Sequence, residues 1–182
     1  MSYEREGRWR KHFVDSLSRP RRNTLDDRKK ALVEGRPYAK PIKFPLEWCM
    51  GAPAPVLLSS EIKTFLIFFL AGGDSRVGMV EFHEVWSAQF GEPDENAIMS
   101  HSMIDSGLEF GCVSEVVGSP WVAEIAERWV SGHPNFEPSK LDVRHLIFPF
   151  HDSTFECVAK SFTATEVDVS YRAAVAQAAE ML

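Results

Sequence analysis

The middle of the chain carries short apolar runs separated by turn residues, a pattern typical of antiparallel strands. Pro55–Leu58 and Thr64–Leu70 flank a polar stretch at 59–61 and predict a hairpin. The second run is apolar at consecutive positions, so we expect a central strand that is buried on both faces. Val77–Phe90 alternates as one long strand, and its even-numbered positions should face the core.

Three further strands are predicted, over Leu108–Val117, Arg144–Phe150 and Phe155–Phe162. The last two flank a polar tetrad, residues 151–154, that suits a tight turn. If Phe150 pairs with Phe155, one face of this hairpin is apolar along its length.

Helical patterns dominate two segments after residue 118. Ser119 and Pro120 fit the cap and first position of an amphipathic helix that Gly132 ends. The Ala-rich tail from Asp168 to Leu182 predicts a C-terminal helix. These elements indicate the α+β class: an antiparallel β-sheet of about five to six strands, one amphipathic helix after the fourth strand, a C-terminal helix and a basic N-terminal helical arm.

Charge divides the 182-residue chain into two parts. Residues 1–45 hold 13 Lys and Arg against 6 Asp and Glu, and form a basic N-terminal arm with a proline-rich linker. Residues 46–182 hold 7 against 20, and we expect them to form a single α+β domain. Within the arm, Thr24 is a candidate cap for a helix over Leu25–Glu34. The opposite charges favour docking of the arm on the domain; alternatively the arm mediates a homo-oligomer.

The composition also limits which cellular compartment and which binding partners we expect. The acidic domain disfavours nucleic acid and anionic membranes. Three cysteines without a C-x-x-C pair make no disulfide framework. We expect no leader segment, and the longest apolar run, Phe65–Ala71, is far too short to span a membrane. The sequence therefore predicts a cytoplasmic protein without a cofactor.

Glu84 is the most unusual single residue of the predicted strands. It lies between Phe82 and Trp86 on the face that should be buried. Burial would raise the pKa of its carboxyl group, which is one way to make a general acid or base. The alternatives are a buried ion pair with an arginine, or a local bulge that turns Glu84 outward.

The densest reactive cluster follows on the predicted hairpin. A base, a hydroxyl nucleophile, carboxylates and a thiol occur within seven residues, namely His151, Asp152, Ser153, Glu156 and Cys157. Because neighbouring residues on a turn point in different directions, the alternative is a well-capped turn with one half-buried cysteine.

Histidines and acidic residues could also assemble a two-histidine, one-carboxylate metal site. The candidates share a strand face or the following loop, and they are Glu81, His83, Asp94, Glu95, His101 and Asp105. The spacing matches no diagnostic metal motif, so no metal is predicted. His133 and His145 are interpreted as structural.

The residues from Arg144 to Cys157, RHLIFPFHDSTFEC, resemble a block in an uncharacterised family of small bacterial proteins. Similar pieces are a Gly-Ala-Pro-x-Pro entry at 51–55, a Phe-Gly-x-Pro turn at 90–93, and a Ser-x-Trp helix start at 119–121 before a His-Pro pair at 133–134. The resemblance spans about residues 48–162 and implies one domain, without an activity. This chain departs from the pattern with Ser-His-Ser at 100–102, where Gly-His-Pro is expected.

Two functions follow from these patterns. The first is a non-catalytic module that binds a partner protein or a small molecule, with Trp86, His83 and Glu156 as ligand-binding residues. The second is a small acid–base enzyme, hydrolase- or isomerase-like, that uses Glu84 with His151 and Asp152 as catalytic residues. Catalytic groups must converge on one substrate, so a separation of about 8 Å or less between Glu84 and His151 would favour the enzyme.

Overall fold

A seven-stranded antiparallel sheet dominates the computed structural model, which describes residues 24–72, 76–94 and 97–182. The strands run in the spatial order β1-β5-β6-β7-β4-β3-β2. Their bounds are β1 Tyr38–Pro41, β2 Val56–Ser59, β3 Thr64–Phe69, β4 Val77–Gly91, β5 Ser114–Val117, β6 Arg144–Pro149 and β7 Thr154–Val167. The α+β class is confirmed. The sheet has one strand more than expected because Tyr38–Pro41, in the proline-rich segment, pairs with β5 as an edge strand.

Three helices and three short 3-10 turns complete the described ranges. The helices are α1 Thr24–Val33, α2 Pro120–Gly132 and α3 Tyr171–Glu180, and the turns are Ile98–Ser100, Ile104–Ser106 and Pro138–Lys140. Ser119 caps α2 as predicted, because its hydroxyl oxygen accepts the backbone N–H of Val122 at 3.2 Å. The amphipathic helix follows the fifth strand rather than the fourth, since β1 precedes the strands that the sequence predicted. The remainder of the basic arm, residues 1–23, lies outside the described residues.

The β6–β7 hairpin has a register two residues away from the expected one. Phe148, not Phe150, pairs with Phe155, and Leu146 pairs with Cys157. Phe150 instead closes the turn, where its backbone N–H donates to Ser153 O at 2.8 Å. A shift of two residues keeps each side chain on its face of the sheet. The apolar face was therefore predicted correctly although the pairing was wrong.

One face of the sheet is an aromatic core. Phe82, Phe148 and Phe155 pack with ring centroids 5.2–5.9 Å apart. Residues 42–50, which we call the strap, cross this face and cover it with Ile42, Phe44, Leu46, Trp48 and Met50. The strap spans the junction between the predicted proline-rich linker and the predicted domain, and its apolar side chains bury the face that would otherwise contact water.

The second face is covered in two places. The buried residues Ala174 and Ala178 of α3 pack on β3 at one side of the sheet. At the other side, Ile98, Met103 and Leu108 from the loop after β4 pack with β5 and β6. The cleft described below lies on this face, between this loop and α2.

The long strand β4 breaks its own alternation near its middle. Glu84 has a left-handed backbone φ of 51°, and the register with β7 shifts between Val85 and Ser87. A bulge of this kind turns side chains to the other face. The expected burial is therefore wrong at Glu84, which is exposed. Ala88 and Phe90 pair with Cys157 and Phe155 on the core side, yet both are exposed, Phe90 by 41%.

Candidate functional site

A cleft of about 500 Å³ opens on the second face of the sheet. Its floor is formed by Gln89 of β4, His145 of β6 and Glu156 of β7. Trp121 of α2 and Met103 of the loop after β4 form part of its wall. The pairing of these strands brings the floor together, because Glu156 pairs with Gln89 on one side and with Ile147, two residues from His145, on the other.

Glu156 is a buried carboxylate with three side-chain donors. Gln89 Nε2 donates to its Oε1 at 2.7 Å, and His101 Nε2 lies 3.3 Å from the same oxygen. His145 Nε2 lies 2.8 Å from Oε2. The residue is 8% exposed, so these contacts replace most of the water that an exposed carboxylate would bind.

His101 presents a proton to Glu156 because of its second ring nitrogen. The backbone N–H of Met103 donates to His101 Nδ1 at 3.1 Å. Nδ1 is therefore the acceptor, and the proton of the neutral ring lies on Nε2, facing the carboxylate. The hydrogen bond from His101 to Glu156 thus connects the loop between the two 3-10 turns to the sheet.

His145 links the carboxylate to the start of α2. Its Nδ1 lies 2.9 Å from the hydroxyl oxygen of Ser119. Ser119, His145 and Glu156 therefore form a continuous hydrogen-bonded series of hydroxyl, imidazole and carboxylate. The indole ring of Trp121 stands edge-on to the His145 ring at 5.1 Å and restricts its movement.

The surroundings keep Glu156 ionised. Burial raises its pKa, but the hydrogen bonds from His101 and His145, together with the attraction of these rings, lower it further and leave it at about 2. Oε1 receives two donors and Oε2 receives one among the described residues. A carboxylate oxygen can accept two hydrogen bonds, so Oε2 retains one acceptor position.

The neighbouring Cys157 points to the opposite face and has no part in the cleft. It is fully buried in the aromatic core. Burial, and to a lesser degree the charge of Glu156, raise the pKa of its thiol. Such a thiol stays protonated and is a poor nucleophile.

Over the described ranges, no group of three or more His, Cys, Asp and Glu side chains is arranged to hold a metal ion. His101 and His145 come close to a two-histidine, one-carboxylate set with Glu156. Their Nε2 atoms bond directly to the carboxylate oxygens, however, rather than surrounding a common point.

Glu84 lies elsewhere, on the exposed part of the β4 bulge. Its side chain is 61% exposed, and its Oε1 accepts from Lys160 Nζ at 2.7 Å. The expectation of a buried carboxylate is wrong because the bulge turns the side chain into solvent, as one of the alternatives anticipated.

The turn that carries His151 and Asp152 is far from Glu84. Thr154, next to this turn, pairs with Gly91, whereas Val85 pairs with Ala159, five residues further along β7. At about 3.4 Å per residue, this separates the two places by about 17 Å along the strand. His151 is buried and its Nδ1 lies 2.7 Å from Oδ1 of the exposed Asp152. Glu84 and His151 therefore do not converge.

The three candidate ligand-binding residues are also divided. Glu156 lies at the floor of the cleft. Trp86 packs against Trp129, with ring centroids 4.8 Å apart. His83 Nε2 lies 3.0 Å from the hydroxyl oxygen of Thr163. Neither Trp86 nor His83 is among the described residues that line the cleft.

Comparison of the chain with protein-family models, curated proteins and solved structures finds no match. The resemblance of the hairpin block to a bacterial family therefore stays a prediction. Within the described ranges, every helix is too short or too polar to cross a membrane.

Proposed function

We propose that the protein is a non-catalytic binding module for a small molecule that carries a hydrogen-bond donor. The observation that supports this most is the buried Glu156 carboxylate at the cleft floor, held ionised by protein donors and left with one acceptor position. A volume of about 500 Å³ lies within the size range of small-molecule pockets. The sequence also allowed a partner protein as the ligand, but a partner protein would more commonly bind to a flatter surface.

The lining favours an amine over an anion as the ligand's polar group. Glu124 and Glu156 contribute carboxylates, and Trp121 contributes an aromatic ring that attracts cations. Arg36 also lines the cleft. Its guanidinium already bonds to Glu34 at 2.7 Å, which reduces its attraction for a ligand anion.

Ligand-observed NMR with the full chain tests this proposal. The probes are 2-phenylethylamine and 3-phenylpropionate, which share a phenyl ring and differ in the charge of the polar group. We expect saturation transfer to the amine and not to the carboxylate. Glu156→Gln should weaken amine binding at least tenfold, because an amide replaces the charged acceptor.

Glu84→Gln is the matched control for this experiment. It makes the same chemical change on an exposed strand residue outside the cleft. Amine binding should be unchanged in this variant. Equal binding of the two probes, or an equal loss in both variants, would contradict the proposal.

Acid–base catalysis is a second candidate, supported by the Ser119–His145–Glu156 series. In such a series the imidazole takes the serine proton at Nδ1, while its Nε2–H keeps the bond to the carboxylate. The earlier combination of Glu84 with His151 and Asp152 loses its geometric support, because these residues lie apart.

A fluorophosphonate tests this second candidate, since it phosphonylates an activated serine with loss of fluoride. The expected adduct is on Ser119, and it should disappear in Ser119→Ala and in His145→Gln. Ser131→Ala, on the exposed part of α2, is the control that should keep the adduct. Folded protein without an adduct on Ser119 would eliminate this candidate.

Assembly through the basic arm remains a prediction, because most of the arm lies outside the described residues. A native mass spectrum of the untagged protein reports both its oligomeric state and any retained ligand. A dimer whose population falls with rising salt would support the arm as the interface.

A further inference from the structure

A second cavity, of about 340 Å³, lies between the strap and the segment 111–113, and we call it the strap cavity. It shares no lining residue with the cleft over Glu156. Its lining is mostly apolar, and four of the apolar side chains are only half-buried, namely Ile42, Phe44, Leu46 and Met50. The strap therefore leaves hydrocarbon accessible from outside on this side of the molecule.

The described part of α1 begins next to the strap cavity. The hydroxyl group of Thr24, the first residue of α1, donates to Oε1 of Glu109. The other oxygen of this carboxylate accepts from the thiol of Cys112 at 3.9 Å, and Cys112 lines the strap cavity. Glu109 thus connects the start of α1, where residues 1–23 join the described chain, to the wall of the cavity.

The cleft lies toward the other end of α1. Arg36, which lines the cleft, comes just after the C-terminal end of this helix. A helix of 10 residues is about 15 Å long. The segment 1–23, which we call the arm segment, therefore enters α1 beside the strap cavity and away from the cleft.

The arm segment contains apolar residues that suit this opening. Trp9, Phe13 and Leu17 recur every four residues, which is the spacing of one face of a helix. Leu17 precedes Thr24 by seven positions, and seven residues can span up to about 25 Å. The apolar positions of the arm segment are therefore within reach of the strap cavity.

The charges of the arm segment and of the cavity are opposite. Residues 1–23 hold seven Lys and Arg against three Asp and Glu. Glu47 is the charged residue of the described lining; it is exposed and forms no ion pair among the described residues. Opposite charges favour the approach of the arm segment, and burial of apolar side chains would then hold it.

We propose that the strap cavity is the docking site of this chain's own arm segment. Trp9, Phe13 and Leu17 pack against the half-buried apolar side chains of the cavity, and the basic residues of the arm segment are held near Glu47. The proposal is independent of the cleft, because neither Glu156 nor its side-chain partners line the strap cavity.

The alkylation rate of Cys112 in the full chain tests this docking, because Cys112 is half-buried and lines the cavity. The test variant replaces the three apolar residues together, as Trp9→Ser/Phe13→Ser/Leu17→Ser. We expect iodoacetamide at pH 8 to modify Cys112 about tenfold faster in this variant than in the wild type, since the arm segment no longer covers the thiol. Mass spectrometry of the Cys112 peptide gives both rates.

Lys11→Ser/Asp15→Ser is the matched control. On a helix these positions lie about 200° from Trp9 and Phe13, and the double change preserves the net charge. Cys112 should react at the wild-type rate in this variant. In the wild-type chain, nuclear Overhauser effects should also connect the ring protons of Trp9 or Phe13 to the methyl group of Met50.

Several results would overturn the proposal. These are a wild-type rate at Cys112 in the triple variant, equal acceleration in the control, or Overhauser effects from the arm segment to Trp121 of the cleft instead of Met50. If the triple variant does not fold, the wild-type Overhauser effects decide, and their absence overturns the docking.

Dilution distinguishes the chain's own arm segment from that of a second copy. A contact within one chain does not depend on protein concentration, so protection of Cys112 should persist over a roughly hundredfold dilution. Protection that is lost on dilution would overturn the proposal in favour of a dimer. Amine binding in the cleft should be the same in the triple variant and the wild type, so the two proposals can fail separately.

Discussion

Among the individual side chains, Glu156 combines burial with a full charge. Three donors compensate the lost hydration, and two of them come from histidines. Removing a buried hydrogen-bonded partner leaves other groups unsatisfied, which costs more than the bond itself contributes. Its neighbour Cys157 is buried without compensation, and there the neutral thiol is retained.

Stability should depend on pH through Glu156. Its folded pKa, about 2, is depressed below the ordinary value of 4.5, so its contribution is complete above pH 4.5 and is lost as the pH falls toward 2. We expect the wild-type protein to lose up to roughly 3 kcal/mol more over this range than Glu156→Gln. Urea unfolding at pH 7, 4.5 and 2.5 measures this difference. Parallel pH curves for the two proteins would contradict it.

The rate of alkylation should distinguish Cys112 from Cys157. Iodoacetamide at pH 8 should modify the half-buried Cys112 slowly and Cys157 only after denaturation, because burial raises both thiol pKa values and encloses Cys157 completely. Mass spectrometry of peptides from native and denatured samples gives the two rates. Modification of native Cys157 as fast as that of Cys112 would show that the core opens at this strand.

At the scale of elements, one arginine connects α1 to both the sheet and the loop before β5. Arg28 donates to the carbonyl oxygens of Ala39 and Gly107, at 2.9 and 3.1 Å, and to the carboxylate of Glu109. Gly107, with a φ of 94°, also leaves the space that the Arg28 side chain occupies, since a Cβ there would lie 2.2 Å from Arg28 Cγ. One side chain thus joins a helix, an edge strand and a loop.

Arg28→Ala should loosen α1 more than the rest of the molecule. We expect faster amide hydrogen exchange over residues 24–33 and a loss of roughly 2–3 kcal/mol in the free energy of unfolding. Lys29→Ala is the control, because Lys29 is exposed and pairs only loosely with Asp26 at 3.9 Å. If amide hydrogen exchange over residues 24–33 is equally fast in both variants, Arg28 does not anchor α1.

Elements with a strong local pattern could be predicted from the sequence. The periodicity of apolar residues and the chemistry of turn residues predict the cap of α2, the β2–β3 hairpin and the apolar face of β6 and β7. The strand at Tyr38–Pro41 could not, because four residues ending in a proline have no strand pattern of their own. It forms only by pairing with β5.

Part of the candidate site could be predicted from the sequence for the same reason. Glu156 and His145 lie on the polar face of a hairpin whose apolar face was predictable, so a correct register would have joined them. His101 sits in an irregular loop, and only the folded loop brings it to Glu156. The bulge at Glu84 was only one of the alternatives that the sequence offered, because no glycine or asparagine marks its left-handed residue.

At the scale of the whole molecule, the strap closes the aromatic core. Phe44 contacts four rings, those of Trp48, Phe68, Phe148 and Phe162, at 5.5–6.4 Å. Chain that crosses a sheet in this way replaces a second layer of helices on that face. The stability of the fold should therefore depend on a segment that contains little regular structure.

Phe44→Ala tests this dependence. We expect a loss of roughly 3–4 kcal/mol in the free energy of unfolding, as for other aromatic truncations in cores. Phe90→Ala, at a position that is 41% exposed, should change it much less. Chemical denaturation followed by tryptophan fluorescence gives both values, and similar losses in the two variants would argue against the strap as part of the core.

The β6–β7 hairpin has one further consequence. Leu146 and Cys157 face the aromatic core, while His145 and Glu156, each next to one of them in the chain, form the floor of the cleft. A slip of β7 by one residue against its neighbours would turn Glu156 into the aromatic core and Cys157 into the cleft. Changes of register here therefore cannot alter recognition while sparing the fold. Variation in what the cleft accepts has to come by point substitution, or from the loop that carries His101.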